Sequence, residues 1–254
     1  MHRFYIPPEA WRLDHLSLDP GQAHHCLDVV RLKPGERVVV FNGRGAEATA
    51  EITAAGKQEV GLKHLHHSAS ARLPCEITLG QAVPKGRQMD LIVQKATELG
   101  AAAIAPLLSE RTVVQFDAGE ARAKREKWTA IAIEAAKQCG QNWLPEIHAP
   151  CRLKQFFDAG HAFDLLLIAS LQSDATHLRG VLEDCEAVGK KRPAKVLILI
   201  GPEGDFTPAE SALAKSNGCR PITLGPIILR TETAAIYCLS VLSYELLLEK
   251  RGVN

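Results

Sequence analysis

The 254-residue sequence has almost no charge imbalance and few aromatic residues: 30 Lys and Arg stand against 29 Asp and Glu, a formal net charge of +1, and Phe, Trp and Tyr make up 5%. It therefore lacks the basic excess of a typical nucleic-acid binder, and composition alone proposes no polyanionic partner. No run approaches about 18 consecutive apolar residues, which argues against a membrane span. The opening residues, Met1-His2-Arg3-Phe4-Tyr5-Ile6-Pro7-Pro8, lack an apolar signal core. A protein kept in the cytoplasm is expected.

Signals for metals and common nucleotide cofactors are missing too. The cysteines, Cys26, Cys75, Cys139, Cys151, Cys185, Cys219 and Cys238, are odd in number and nowhere spaced as CxxC. They are expected as reduced, mostly buried small residues. Histidines cluster at His24-His25 and His64-Leu65-His66-His67, but without a carboxylate-supported HxxxH spacing, so no metal site is expected. No GxGxxG follows a strand-like run and no GxxxxGKS/T occurs, which removes the dinucleotide and P-loop readings. The basic runs Arg122, Lys124, Arg125, Lys127 and Lys190-Lys191-Arg192 read as solvated surface.

What the chain does have is concentrated in its last third. Residues 196–200 are an apolar run without alternation, the pattern of a strand covered on both faces, as in a parallel sheet. Gly201-Pro202-Glu203-Gly204 follows, and its two residues without Cβ permit a tight turn and close approach to a ligand. Thr207-Pro208-Ala209-Glu210 then puts a hydroxyl, a proline and a carboxylate at the N-cap, N1 and N3 positions of a helix. A second unit repeats the plan, with residues 221–224 as strand, Gly225-Pro226 as turn, and the apolar loop Ile227-Ile228-Leu229. Arg230-Thr231-Glu232-Thr233 stands at the mouth of the last helix. Two such loops at neighbouring strand ends can share one ligand. Either alone is also ordinary α/β punctuation, but four polar residues exceed what capping one helix needs.

Upstream, residues 1–70 read as a small separate domain. A short helix at 20–30 precedes a strand at 36–42 that ends in the hairpin signal Asn42-Gly43. A returning strand at 46–53, a turn at Ala55-Gly56-Lys57 and a third strand at 60–65 suggest a small barrel or meander. Residues 67–72 are small and polar, as in a linker. From Cys75 onward strands and helices alternate, the pattern of a parallel sheet covered by helices. Strands are expected at 77–82, 103–108, 146–149 and 163–169, and helices at 86–99, 121–139 and 176–187. The first helix carries Met89, Ile92, Val93, Ala96 and Leu99 on one stripe, and Gly100 and Gly140 close the first two. The last helix, 232 to about 250, is apolar nearly all round, which calls for cover by its own sheet and by a partner subunit.

GPEGDFT at 201–207 together with LGPIILRTETA at 224–234 resembles the signature pair of the RsmE-type ribosomal RNA uridine-N3 methyltransferases of the SPOUT superfamily. RFYIP at 3–7, HHCLDVVRLKPGERV at 24–38, KATELGAAAIAPLLSERTVV at 95–114 and EAAKQCGQNWLPEI at 134–147 extend the resemblance over almost the whole chain. It implies an α/β fold, a SPOUT-type parallel sheet with a C-terminal trefoil knot at 73–250, behind a PUA-like RNA-binding β-barrel domain at 1–70. It also implies a homodimer, S-adenosylmethionine as cofactor, and methylation of N3 of a uridine in small-subunit (16S) ribosomal RNA, within the 30S subunit.

On that resemblance, Leu171, Ile200, Gly201, Gly204, Leu224, Gly225, Ile228, Leu229 and Thr231 would hold the cofactor, largely through backbone groups. Arg230 would stabilise a developing uracil anion, and either Glu203 or Glu232 would accept the imide proton. Glu232 is equally explained as a first-turn carboxylate, and Thr231 as an N-cap. Arg3, Lys85, Arg87, Arg111 and Asn142 would contact RNA phosphates. The chain departs from the family pattern at Asp205 for glycine, and at Ile227 and Gln141 for arginine, which weakens phosphate capture there. A SPOUT ribose 2′-O-methyltransferase would share fold and cofactor but not the LRTETA loop, and a non-catalytic RNA-binding protein is the remaining alternative.

Overall fold

The computed structural model describes residues 1–56, 59–112, 116–189 and 192–248. The chain forms two compact units, one of Met1–Arg72 with Ile133–Leu144, the other of Leu73–Ala132 with Pro145–Asn254.

The first unit holds β1 (Arg3–Tyr5), β2 (Leu16–Leu18), the short helix α1 (Pro20–His24), β3 (Arg37–Phe41), β4 (Ala46–Ala55) and β5 (Val60–Ala69). Its sheet runs β1-β3-β4-β5-β2, with β1 parallel to β3 and the other neighbours antiparallel. Alternate residues Val38 and Val40, Ala48, Ala50 and Ile52, and Val60 and Leu62 point into one core with Phe4, Ile6, Leu16 and Leu18, as a period of two requires. The β3–β4 hairpin turns at Asn42, whose Oδ1 accepts from the N–H of Arg44 (2.8 Å) and Ala46 (3.0 Å), while Gly43 takes φ 70°.

Two expectations for this unit are corrected, and two short strands are added. The helix at 20–30 is an α-helical turn that widens into a π-helical one at His25–Val29. The linker at 67–72 is partly strand, because β5 runs on to Ala69 by pairing His67, Ser68 and Ala69 with β4. β1 and β2, three residues each, are too short to display alternation in sequence. Lys57 of the expected turn lies outside the described residues.

The second unit contains a seven-stranded sheet in which every neighbouring pair is parallel. Its strands are β6 (Glu76–Ala82), β7 (Ala103–Leu107), β8 (Glu146–Ile147), β9 (Leu165–Ala169), β10 (Thr176–His177), β11 (Lys195–Ile200) and β12 (Arg220–Thr223), in the order β10-β12-β9-β11-β6-β7-β8. The helices are α2 (Gln88–Glu98), α3 (Ala118–Cys139, continuing into the first unit), α4 (Leu153–Asp158), α5 (Leu178–Gly189), α6 (Pro208–Ser216) and α7 (Thr231–Leu246).

β11 shows why this sequence makes a doubly covered sheet. Val196, Ile198 and Ile200 face one core with residues of α2 and α7, while Leu197 and Leu199 face another with residues of α4 and α6. Both faces are apolar, so after the exposed Lys195 the strand has no polar positions. Gly80 of β6 is part of the same packing: a Cβ there would lie 2.4 Å from Leu199 Cδ2.

Gly100 and Gly140 end α2 and α3 with φ 80° each, as expected. The helix at 176–187 starts two residues late, because Thr176 and His177 pair with β12 as strand β10. α4 has no counterpart among the expected elements, and β8 is only two residues long. α7 buries Ala234, Ala235, Cys238, Leu239, Leu242 and Leu246, but leaves Tyr237 and Tyr244 exposed. Lys190, Lys191 and the expected helix end near 250 lie outside the described residues. Among the described residues no helix is long and apolar enough to cross a membrane.

Candidate functional site

Strands β12, β9 and β11 are adjacent and parallel, so their C-terminal ends open side by side. In an open α/β sheet that edge is where ligands bind. The loops that follow these strands enclose a cavity of about 430 Å³. After β9 come Ser170 and Leu171. Gly201, Glu203, Gly204 and Asp205 follow β11, and Leu224, Gly225, Ile227, Ile228, Leu229, Arg230, Thr231 and Glu232 follow β12. All twelve residues proposed for catalysis and cofactor binding therefore line one cavity. Of the five proposed for RNA, none lines it.

The local geometry of the two glycine loops has identifiable causes. Gly204 and Gly225 take φ 84° and 113°, which disfavour a side chain. At Gly201 a Cβ would come within 3.1 Å of the Phe206 nitrogen and 3.2 Å of Asp205 Oδ1, so the loop closes tightly only over glycine. Thr207 Oγ1 accepts from the Glu210 N–H at 3.2 Å and Glu210 returns the bond to the Thr207 N–H at 3.0 Å, so α6 begins where its capping box predicts.

Thr231 does not cap α7. It occupies the first helical position, behind an Arg230 N-cap that makes no side-chain capping bond. Its buried hydroxyl instead donates to the Gly201 carbonyl at 2.8 Å and accepts from Gln81 Nε2 at 2.9 Å. Gln81 is fully buried and also donates to the Ala82 carbonyl. One hydroxyl thus fastens both glycine loops to the end of β6.

Asp205 has φ 70°, a left-handed conformation that costs most non-glycine residues roughly 1–2 kcal/mol. Its carboxylate accepts from the Leu171 N–H at 3.1 Å and from the Phe206 N–H at 2.8 Å. Arg111 donates to the carbonyls of Gly204 and Asp205. The loop carrying Arg111 is anchored in turn by Glu210, a buried carboxylate that accepts from Ser109 Oγ (2.9 Å) and from the Glu110 N–H (3.0 Å).

Three polar side chains of the cavity remain unengaged. Glu203, Arg230 and Glu232 make no side-chain hydrogen bond or ion pair with another described residue. Glu232 is in the first turn of α7, where the helix dipole favours a carboxylate.

The residues expected to contact RNA fall into different environments. Arg3 is engaged inside the first unit: its guanidinium pairs with Glu47 at 2.5 Å, donates to Asn142 Oδ1 at 2.6 Å and lies over the Phe41 ring. Asn142 is buried and donates to Ser70 Oγ. Both hold residues 133–144 onto the sheet of their unit, with their side chains turned into it. Lys85 and Arg87 are exposed on either side of Gly86, in the loop that leads to Gln88 at the cavity wall. Arg111, though exposed, is engaged by the Gly204 and Asp205 carbonyls.

Sequence reasoning missed Gln81, Gln88, Ser170 and Thr223. The last two follow from position, since they end or leave strands on the ligand edge. Gln81 has no local signal beyond being a polar residue in an apolar strand. Among the described residues no group of His, Cys, Asp and Glu lies close enough to hold a metal ion.

Likeness to known proteins identifies the chain as an RNA methyltransferase. A family model described as an RNA methyltransferase domain matches residues 71–243, and one described as an RNA methyltransferase PUA domain matches residues 18–63. The chain is 33% identical over 252 residues to the ribosomal RNA small subunit methyltransferase E of Bacillus subtilis, covering 96% of this chain and 97% of that protein. The Aquifex aeolicus enzyme of the same name is 32% identical, with 95% and 99% covered. A crystal structure of the Neisseria gonorrhoeae enzyme of that name, bound to S-adenosylmethionine, superimposes with TM-score 0.84 at 30% identity, covering 96% of this chain and 98% of that one. The chain belongs to the ribosomal RNA small subunit methyltransferase E family.

Proposed function

We propose that this protein transfers a methyl group from S-adenosylmethionine to N3 of a uridine in small-subunit ribosomal RNA. The observation that carries this reading is a cavity whose wall is apolar and backbone-rich, yet exposes three polar side chains unengaged among the described residues, at one end of α7 and at the glycine loop after β11. Its volume lies in the range of small-molecule sites. Leu171, Ile200, Leu224, Ile228 and Leu229 offer apolar surface, and Gly201, Gly204 and Gly225 offer backbone groups without Cβ atoms in the way. Those residues suit a nucleoside joined to an amino acid, and Thr231 holds their loops in place.

S-adenosylmethionine supplies a methyl group on a positively charged sulfur. The rest of the work falls to the chain. N3 lies on the Watson–Crick edge, so the target must be unpaired or extruded before it can enter. As N3 bonds to the methyl carbon, whose bond to sulfur would break with its electron pair left on sulfur, N3 gives up its proton, and Glu203 or Glu232 accepts that proton directly or through water. Arg230 stabilises the negative charge spread onto the uracil oxygens. Lys85 and Arg87 bind RNA phosphates beside the cavity, with Arg111 shared between the loop carbonyls and the RNA. Arg3 and Asn142 support RNA binding by shaping the first unit, Met1–Arg72 with Ile133–Leu144, as a PUA-like domain, while the unit with the parallel sheet carries the chemistry.

Three further statements belong to the same reading. The C-terminal part is tied as a trefoil knot, which is supported by β12 pairing beyond β9 rather than with β11, and by Thr231 bonding back to Gly201 and Gln81. The enzyme is a homodimer through the exposed side of α7 and the residues just after it, where Tyr237, Tyr244 and Leu248 are 44%, 71% and 58% exposed. It acts in the cytoplasm on the 30S subunit.

Calorimetry with S-adenosylmethionine, followed by methyl incorporation into 30S subunits and into naked 16S RNA with nucleoside analysis, tests the proposal. Recovery of 3-methyluridine supports it. A 2′-O-methylated nucleoside, or donor binding without incorporation into either substrate, overturns it.

A further inference from the structure

We propose that Asp205 is a positioning residue of the cavity, whose carboxylate fixes the loop after β9 against the loop after β11 and so shapes the donor site before the donor arrives. This rests on the reading of the cavity as the methyl-donor site and concerns how that site is held.

Four observations carry it. Asp205 adopts φ 70°, where glycine is free of strain and an aspartate is not. Strain of this kind persists only where the surroundings enforce it, and it gathers at functional sites. The surroundings here are specific. The Asp205 N–H donates to the Pro202 carbonyl at 3.0 Å, Oδ1 accepts from Phe206 and Oδ2 from Leu171. Arg111 holds the two consecutive carbonyls of Gly204 and Asp205 from outside.

The bond to Leu171 is the one that matters for function. It is a side-chain contact between two cavity walls that are 34 positions apart in sequence. Leu171 itself is 58% exposed, so little packing secures its loop. Without the carboxylate the Leu171 N–H loses its partner and the loop must be ordered at the moment of binding, which weakens affinity. A glycine would relax the backbone and open the cavity in one step. Fold stability and donor affinity therefore move in different directions at this position, which a purely structural role does not produce.

The test compares the full-length protein with D205G and D205N. Measured are the melting temperature without donor, the Kd for S-adenosylmethionine by calorimetry, and KM and kcat for methyl transfer to small subunits. D205G is expected to melt at or above the wild-type temperature while Kd and donor KM rise roughly tenfold, with kcat at saturating donor much less affected. D205N, whose single amide oxygen can serve only one of the two N–H groups, is expected to fall between. Wild-type donor affinity in D205G would overturn the inference, as would a loss of affinity matched by a loss of melting temperature. Failure of the unsubstituted protein to bind the donor would instead remove the function proposed above.

Discussion

The hydroxyl of Thr231 donates to the carbonyl of Gly201 at 2.8 Å, joining residues 30 positions apart at the mouths of two parallel strands. Gln81 Nε2, from a third strand end, donates to the hydroxyl oxygen of Thr231. Because the oxygen is buried, its bonds are not exchanged for water, and their loss leaves a carbonyl and an amide unpaired. T231V, which preserves shape, is expected to lower unfolding free energy by about 1–3 kcal/mol. Chemical denaturation with and without S-adenosylmethionine would check this, and donor affinity should fall as well. A variant as stable as wild type would mean that the hydroxyl is dispensable.

Arg230 is exposed and, among the described residues, unengaged, so its replacement should disturb chemistry far more than folding. R230A is expected to reduce kcat by about 10²–10³ with donor Kd nearly unchanged, the signature of a group acting on developing charge. E203Q and E232Q should separate the proton acceptor from its neighbour. The variant of the acceptor is expected to lose about 10²–10⁴ in rate. Equal turnover in both would sink the assignment of a carboxylate base.

The cavity is lined by three carboxylates, Glu203, Asp205 and Glu232, and by one guanidinium, that of Arg230. Such a balance favours a cationic sulfonium over the neutral thioether left after transfer. S-adenosylmethionine should therefore bind more tightly than S-adenosylhomocysteine, and the difference should shrink as ionic strength rises through the range in which exposed charges are screened. Titrations of both ligands at low and high salt provide the measurement. Tighter binding of the thioether would show that apolar contacts dominate.

Glu210 is a buried carboxylate shared by the loop before Thr112 and the start of α6. E210A leaves donors from Ser109, Glu110 and Thr207 without their acceptor, and should destabilise by about 1.5–3 kcal/mol for each charged bond that water cannot replace. Since Arg111 rides on that loop, the Gly204 and Asp205 carbonyls should also become protease-sensitive sites. Limited proteolysis mapped by mass spectrometry would detect a cut at 204–206 absent from wild type.

Burial pushes the thiols of Cys75, Cys219 and Cys238 up to about 12. The unfolded chain releases these protons from about pH 9, whereas the folded one holds them to about 12. Stability from this source is thus complete below pH 9 and declines as pH climbs from there to 12. Denaturation at pH 8 and pH 10 should show the decrease. Exposed Cys139 is expected to react first with iodoacetamide, and the buried Cys26, Cys75, Cys219 and Cys238 only in denaturant. Rapid labelling of Cys238 in native protein would contradict its burial.

The amino-acid sequence by itself determined the elements that rest on local rules. The unbroken apolar run of β11 required cover on both faces, Thr207 to Glu210 wrote the start of α6, and glycines 100 and 140 ended two helices. The two glycine loops marked the site for the same reason, since turn geometry and capping are read within a few residues. Relationships between distant segments were decided only by the tertiary structure. Gln81 meets Thr231 across 150 positions. Arg3 turns inward to Asn142 across 139, and so serves its unit rather than a phosphate. The left-handed backbone at Asp205 likewise depends on Leu171, which β9 delivers. Spacing encodes period and turn, but which strand ends stand side by side depends on how the whole sheet closes its core, and no short stretch of sequence carries that information.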